Sequence, residues 1–207
     1  MNILIIGSGG REHAICWAIS QNPKCKKLYC APGSDGISQV AQSIAINSSD
    51  SIGIINFCKS ENIDLVIIGP EGPLENGLAD DLIAAKISTF GPMKNAAKLE
   101  SSKLFTKEIC EACGAPTARF KVIKNITDAK QVVSESPVPL VIKLDGLAAG
   151  KGVIVAESKV EANKALDDIF DKNDKNNQIL IEEFMQGEEA SLFVITDGFN
   201  YLSLGGA

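Results

Sequence analysis

A chain of 207 residues, 45% hydrophobic and 22% charged, has globular composition and enough apolar mass for one large domain or two small ones; a disordered, collagen-like or disulfide-stapled chain is excluded. Its 20 Lys+Arg against 26 Asp+Glu leave a net charge of −6, opposite in sign to the basic balance of a general nucleic-acid binder, so no nucleic-acid partner is expected. Apolar runs such as Ile3–Ile6 and Leu65–Ile68 fall far short of the roughly 20 residues of a membrane-crossing helix, and no basic segment precedes the first run, so a soluble cytoplasmic protein without membrane contact is expected.

Asn2–Ile6 reads as a buried strand, Arg11–Gln21 as a helix and Lys27–Ala31 as a second strand, an alternation that predicts βαβ units and a doubly wound parallel sheet. Gly7-Ser8-Gly9-Gly10-Arg11-Glu12-His13 joins the first strand to the first helix. A glycine turn there lets backbone N–H groups and the positive end of a helix approach an anion. A dinucleotide fingerprint needs a third glycine at position 12, so Glu12 argues against NAD. Arg11 and His13 instead add a cation and a donor suited to a phosphate monoester; glycines that only make a tight turn are the plainer alternative. His13 is the only histidine, which excludes a His-based metal site.

A helix over Ser49–Ser60 and a strand over Asp64–Ile68 lead to Gly69-Pro70-Glu71-Gly72-Pro73-Leu74. Ligands of open α/β sheets bind outside the carboxyl ends of the strands, which places Glu71 in one crevice with Gly9–Glu12, unless it is a solvated acid on a rigid loop. A helix Leu74–Ala85 and a short strand Ile87–Phe90 follow, and Gly91-Pro92 stops the pattern. Two helices, Lys94–Glu100 and Ser102–Cys113, end at Gly114, with Pro116 beyond as a boundary signal. The six cysteines are scattered, and the one close pair, Cys110 and Cys113, lacks the partners of a zinc site, so they read as buried or idle thiols.

Past Pro116 the texture becomes α+β: strands Phe120–Lys124, Leu140–Leu144 and Gly152–Ala156, a helix near Val160–Phe170, and a charged loop Asp171–Asn177. Strands Gln178–Phe184 and Ala190–Thr196, an Asp197-Gly198 hairpin signal and a strand Asn200–Leu204 complete it. Lys143 sits in an apolar strand, where its charge needs a match that a nucleotide phosphate would give. The strand runs into Asp145-Gly146-Leu147-Ala148-Ala149-Gly150-Lys151-Gly152, whose small residues leave backbone N–H groups able to close over phosphates. A strand, not a helix, follows Lys151, which rejects a P-loop; a flexible hairpin with a surface lysine is the plainer alternative. Further on, Ile179–Ile181 leads into Glu182-Glu183-Phe184-Met185, then Gly187, Glu188 and Glu189. Such a hinge can offer backbone groups to a flat base and a carboxylate to ribose hydroxyls, or be a solvated acidic turn.

These motifs, in this order, resemble the phosphoribosylamine–glycine ligases, also called glycinamide ribonucleotide synthetases, of the ATP-grasp superfamily. The run Asp145–Val153 is the most specific of them. The resemblance implies a Rossmann-like N-terminal domain (1–100), a linker helix (101–119), a small ATP-binding lid module (120–190) and the start of a C-terminal ATP-grasp part (191–207). It implies ligation of glycine to 5-phosphoribosylamine with ATP converted to ADP and phosphate through a glycyl phosphate. It puts ATP phosphates on Lys103 and Lys143, and a glycine flap over Asp145, Gly146, Ala148, Ala149, Gly150, Lys151 and Gly152. Adenine falls against Glu182, the backbone of Glu183 and Met185, and Phe184, with ribose on Glu189. Gly9, Gly10, Arg11, Glu12, His13 and Glu71 fall on the phosphoribosylamine side. Family members are considerably longer and draw their Mg2+ or Mn2+ ligands from the later part, so no metal site is assigned within 207 residues, and the polypeptide alone is expected to show little or no ligase activity, as a monomer or weak homodimer. A different ATP-grasp carboxylate–amine ligase and a non-catalytic nucleotide-binding module are the rivals, with a dehydrogenase a distant third.

Overall fold

The computed structural model of the protein describes residues 1–147, 152–172 and 178–207. It divides into two compact units, one of residues 1–117 with 144–152 and one of 118–143 with 153–207.

The first unit is a five-stranded sheet in the order β3-β2-β1-β4-β5, whose neighbouring strands pair in parallel. Its strands are β1 (Asn2–Gly7), β2 (Lys27–Pro32), β3 (Gln42–Ser43), β4 (Leu65–Ile68) and β5 (Thr89–Phe90). Helices α1 (Gly10–Ser20), α2 (Ser51–Ser60), α3 (Glu71–Asn76), α4 (Leu78–Ala84), α5 (Lys94–Ser101) and α6 (Lys103–Cys113) connect and follow them. The central strand explains the winding: Leu4 and Ile6 join Ile54, Cys58 and Leu82 in one core, while Ile3 and Ile5 join Cys16, Cys30 and Ile37 in another. A strand buried on both faces needs a continuous apolar run, and Ile3-Leu4-Ile5-Ile6 is one. The helix expected over Leu74–Ala85 is two, because Gly77 adopts φ +94 and ends α3 before α4 begins. That conformation suits glycine and breaks the helical ladder.

The second unit holds a four-stranded sheet in the order β6-β9-β7-β8, with β6 (Phe120–Ile123), β7 (Leu140–Leu144), β8 (Val153–Ala156) and β9 (Ile179–Glu183). Helices α7 (Ile126–Glu135) and α8 (Lys159–Lys172) pack on each other. α7 was not among the sequence expectations, yet its signal is present. Asn125 caps Asp128 N–H at 2.9 Å, and Ala129, Val132 and Val133 form a buried stripe. The sheet has unequal faces: Leu140 and Ile142 are fully buried, whereas Val153 and Val155, in register with Lys143 and Val141, are 47% and 45% exposed. An antiparallel hairpin of β10 (Leu192–Thr196) and β11 (Tyr201–Gly206) completes the unit. Its turn is held by Asp197, whose carboxyl accepts the Asn200 and Phe199 N–H groups and is drawn down to about 2 by them. No helix among the described residues is long and apolar enough to cross a membrane.

Candidate functional site

At the carboxyl end of β1 the chain turns at Gly7 (φ +131) into α1, and the buried side chain of Glu12 folds back under this turn. Gly9 N–H donates to Glu12 Oε2 at 2.8 Å, the reciprocal half of a capping box, and Arg11 Nε donates to Glu12 Oε1 at 3.1 Å. Arg11 Nη1 reaches Glu71 Oε1 at 2.9 Å, so one guanidinium spans two carboxylates. The Arg11 bond holds the Glu71 carboxyl below its ordinary range, and Glu71 in turn raises Arg11. The structure therefore brings Gly9, Arg11, Glu12 and Glu71 together as the sequence suggested. Glu12 is buried and turned under the loop, accepting from Gly9 N–H and from Arg11 Nε. The imidazole of His13 lies against Gly36, while a side chain at Gly10 would meet open space.

The root of the glycine-rich loop is anchored in the same unit. Asp145 Oδ1 accepts the N–H groups of Lys103 (2.7 Å) and Leu104 (3.3 Å), and Oδ2 accepts the Ser102 hydroxyl (3.2 Å). Ser102 Oγ accepts Phe105 N–H at 3.2 Å, so the two side chains together cap α6. Lys103 Nζ donates to Gly146 O at 2.8 Å, and Leu144 N–H to Gly152 O at 2.8 Å. Lys103 thus stands at the loop's root, and the Asp145 carboxylate accepts two backbone N–H groups on one oxygen and the Ser102 hydroxyl on the other. Ala148, Ala149, Gly150 and Lys151 lie outside the described residues.

In the second unit Lys143 Nζ meets Glu182 Oε2 at 2.8 Å, with the carboxylate side chain 3% exposed and the lysine 28%. The match that the strand lysine requires is supplied within the chain, a pairing the sequence reading did not draw. Because Phe120 and Glu182 are register partners, the end of β9 is fixed against the start of β6. A cleft of about 500 Å³ opens beside it, lined by Arg119, Phe120, Pro139, Glu182, Glu183 and Phe184 among others. Phe184, Met185 and Glu189 are exposed beyond the strand end. Among the described residues no group of three or more His, Cys, Asp or Glu side chains is placed to hold a metal ion. A divalent ion does not fit the described donor set.

A family model described as phosphoribosylglycinamide synthetase, N domain, matches residues 1–100, and one described as phosphoribosylglycinamide synthetase, ATP-grasp (A) domain, matches residues 101–207. A phosphoribosylamine–glycine ligase of Mesorhizobium japonicum is 47% identical over 209 residues, covering 100% of this chain and 49% of that protein. A chloroplastic phosphoribosylamine–glycine ligase of Arabidopsis thaliana is 46% identical over 94% of this chain and 38% of its own length. The crystal structure of a phosphoribosylamine–glycine ligase from Thermotoga maritima superposes with TM-score 0.78 at 28% identity, covering 99% of this chain and 49% of that one. The chain spans about half the length of the curated relatives it matches.

Proposed function

Since the chain belongs to the phosphoribosylglycinamide synthetase family, we propose that it carries the nucleotide side and the phosphoribosylamine side of an ATP-dependent carbon–nitrogen ligase. That ligase would join glycine to 5-phosphoribosylamine, releasing ADP and phosphate. A glycine carboxylate is a poor acyl donor until one oxygen becomes a phosphate leaving group, so the chemistry needs a phosphoryl group positioned and its charge neutralised. Lys103 at the loop root and Lys143 on the open face of the second sheet are the cations for that task. Glu182, the backbone of Glu183 and Met185, and Phe184 would meet adenine, with Glu189 on ribose; Arg11 would face the substrate phosphate.

A divalent cation, Mg2+ or Mn2+, would neutralise phosphate charge when bound, from ligands outside the described residues. The proposal includes a cytoplasmic location, although one plant relative is chloroplastic by name, and a monomer or weak homodimer. Its domain reading is an N-terminal domain over 1–100, a linker over 101–119, a lid module over 120–190 and the start of a further part over 191–207.

The observation that carries the reading is the Lys143–Glu182 pair, a strand lysine set against a buried acid, in a segment matched by an ATP-grasp model. Titration of ATP into the chain tests it. Lys143→Ala should weaken ATP binding by about tenfold or more, the value of a charge-assisted bond to phosphate. Unchanged affinity would overturn the nucleotide assignment. Glycine-dependent phosphate release by the 207 residues alone should be near background, and normal turnover would refute that part.

A further inference from the structure

We propose that Cys30 is a positioning residue for the substrate side: its buried thiol, bonded to Gly7 O, fixes the peptide that follows and so presents Ser8 N–H to an acceptor oxygen of the phosphoribosyl substrate. The inference rests on the phosphoribosylamine reading above and adds to it a residue that lies outside its motifs.

β1 ends on a residue that cannot steady its own peptide. Gly7 has φ +131, and a Cβ there would stand 2.6 Å from Glu12 Cγ, so only glycine fits. Glycine leaves the peptide after it able to rotate. Two donors, from β2 and from the loop behind it, restrain that rotation. Gly33 N–H donates to Gly7 O at 3.1 Å, and Cys30 Sγ donates to the same oxygen at 3.3 Å. A carbonyl oxygen has two lone pairs, and both are taken. Of the two donors Cys30 is the one set in the core: it is fully buried on β2 among Ile3, Ile5, Cys16 and Ile37.

The restraint matters for the other end of the peptide. In a trans peptide the C=O and the next N–H point in opposite directions. With Gly7 O turned toward β2, Ser8 N–H is turned away from it, to the side where the end of β4 meets β1 through Gly69 N–H and Ile6 O and leads on to Glu71. Ser8 is exposed, and its N–H donates to no group among the described residues. A side chain at Gly10 would meet open space. An unpartnered N–H beside open space and one turn from the Arg11 guanidinium is a donor for a ligand oxygen. The Cys30 thiol also keeps its proton, since hydrogen bonding with Cys16 and burial raise it far above its ordinary value. An S–H donor is weak, so the contribution is modest.

The test titrates ribose 5-phosphate, a stable stand-in for the substrate, and ATP into the whole chain by calorimetry. The proteins are the wild type, Cys30→Ser, Cys30→Ala and Cys30→Val. Serine keeps a donor, whereas valine keeps apolar volume without one. Cys30→Ala and Cys30→Val should lower ribose 5-phosphate affinity by about threefold to fivefold, the fold-change of one weak hydrogen bond, and Cys30→Ser should hold it within about 1.5-fold. ATP affinity should be unchanged in all three. In amide NMR of the wild type, the Ser8 resonance should move on saturation with ribose 5-phosphate. An affinity for ribose 5-phosphate that survives Cys30→Val, a loss in Cys30→Ser as large as in Cys30→Ala, or equal losses for ribose 5-phosphate and ATP overturns this inference alone. So does a Ser8 amide that stays still in a wild type that binds ribose 5-phosphate. A wild type that does not bind ribose 5-phosphate overturns the phosphoribosylamine reading and this inference with it.

Discussion

Glu12 and Gly69 occupy one space: a Cβ on Gly69 would stand 2.3 Å from Glu12 Oε1 and 2.5 Å from its Cγ. Glu12 cannot step aside cheaply, since its carboxylate is buried and bonded to Gly9 N–H and to Arg11. Gly69→Ala should therefore destabilise the protein by about 2–4 kcal/mol, the range for overpacking combined with a broken buried hydrogen bond. Glu12→Ala alone should destabilise it too. The double variant should be distinctly more stable than the sum of the two losses, because removing the carboxylate removes the clash. Urea unfolding of the four proteins measures the coupling, and strict additivity would sink the account.

The other end of Arg11 gives a pH dependence. The Arg11 bond lowers the Glu71 carboxyl below the ordinary glutamate value of about 4.3. A folded value below the unfolded one contributes stability that is present above about pH 4.3 and lost as pH falls through the folded value. Both side chains are partly exposed, so the contribution is small and salt-sensitive. Carboxyl-detected NMR should place the Glu71 midpoint below the ordinary value, and Arg11→Gln should return it upward. A midpoint indifferent to Arg11→Gln contradicts the assignment.

What the sequence discloses here follows the range over which its signals act. β1 and β4 are legible because each is an apolar run read locally, as Ile3–Ile6 and Leu65–Ile68 show, whereas β3 is the polar pair Gln42-Ser43 and carries no such signal. The Ser102–Cys113 segment with its Gly114 stop is legible because capping is local; Gly114 does take φ +70. The signal of α7 is local as well, Asn125 and Asp128 marking its start, but it opens directly behind the strand expected over Phe120–Lys124. The site was legible as a set of residues but not as partnerships. Glu12 packs against Gly69, Lys143 on β7 pairs with Glu182 on β9, and Asp145 bonds the start of α6, partnerships between segments far apart in sequence that only the fold brings together.

The cysteines differ in reactivity for reasons of burial. Burial pushes the Cys58 thiol up to about 11, and the Cys16 thiol, by hydrogen bonding, together with burial raises Cys30 still further. Cys113 is exposed on α6. In the native protein at pH 8, iodoacetamide should label Cys113 first, while Cys16, Cys30 and Cys58 should react only at the rate of unfolding. A raised acid favours the protonated folded form, so Cys58 contributes stability below its unfolded value, about 8.5, that is lost as pH rises toward 11. Cys58→Ala should flatten that alkaline limb while costing core packing. Rapid native labelling of Cys58 would contradict the buried assignment.

Asp145 separates two roles that a carboxylate beside a glycine loop could play. If it serves the nucleotide through its charge, Asp145→Asn and Asp145→Ala should weaken ATP binding alike. The geometry assigns it instead to the start of α6, where Oδ1 takes the N–H groups of Lys103 and Leu104 and orders the residue whose ammonium bonds Gly146 O. An asparagine keeps that acceptor and is a good capping side chain, whereas alanine removes it and leaves donors unsatisfied. Asp145→Ala should therefore cost about 1–2 kcal/mol of stability and weaken ATP binding through Lys103. Asp145→Asn should retain most of both, since Ser102, which holds Phe105 N–H, is untouched in either variant. Thermal unfolding and ATP titration on the two variants decide the matter: equal ATP losses, with stability spared in the asparagine variant, would return Asp145 to direct duty at the nucleotide.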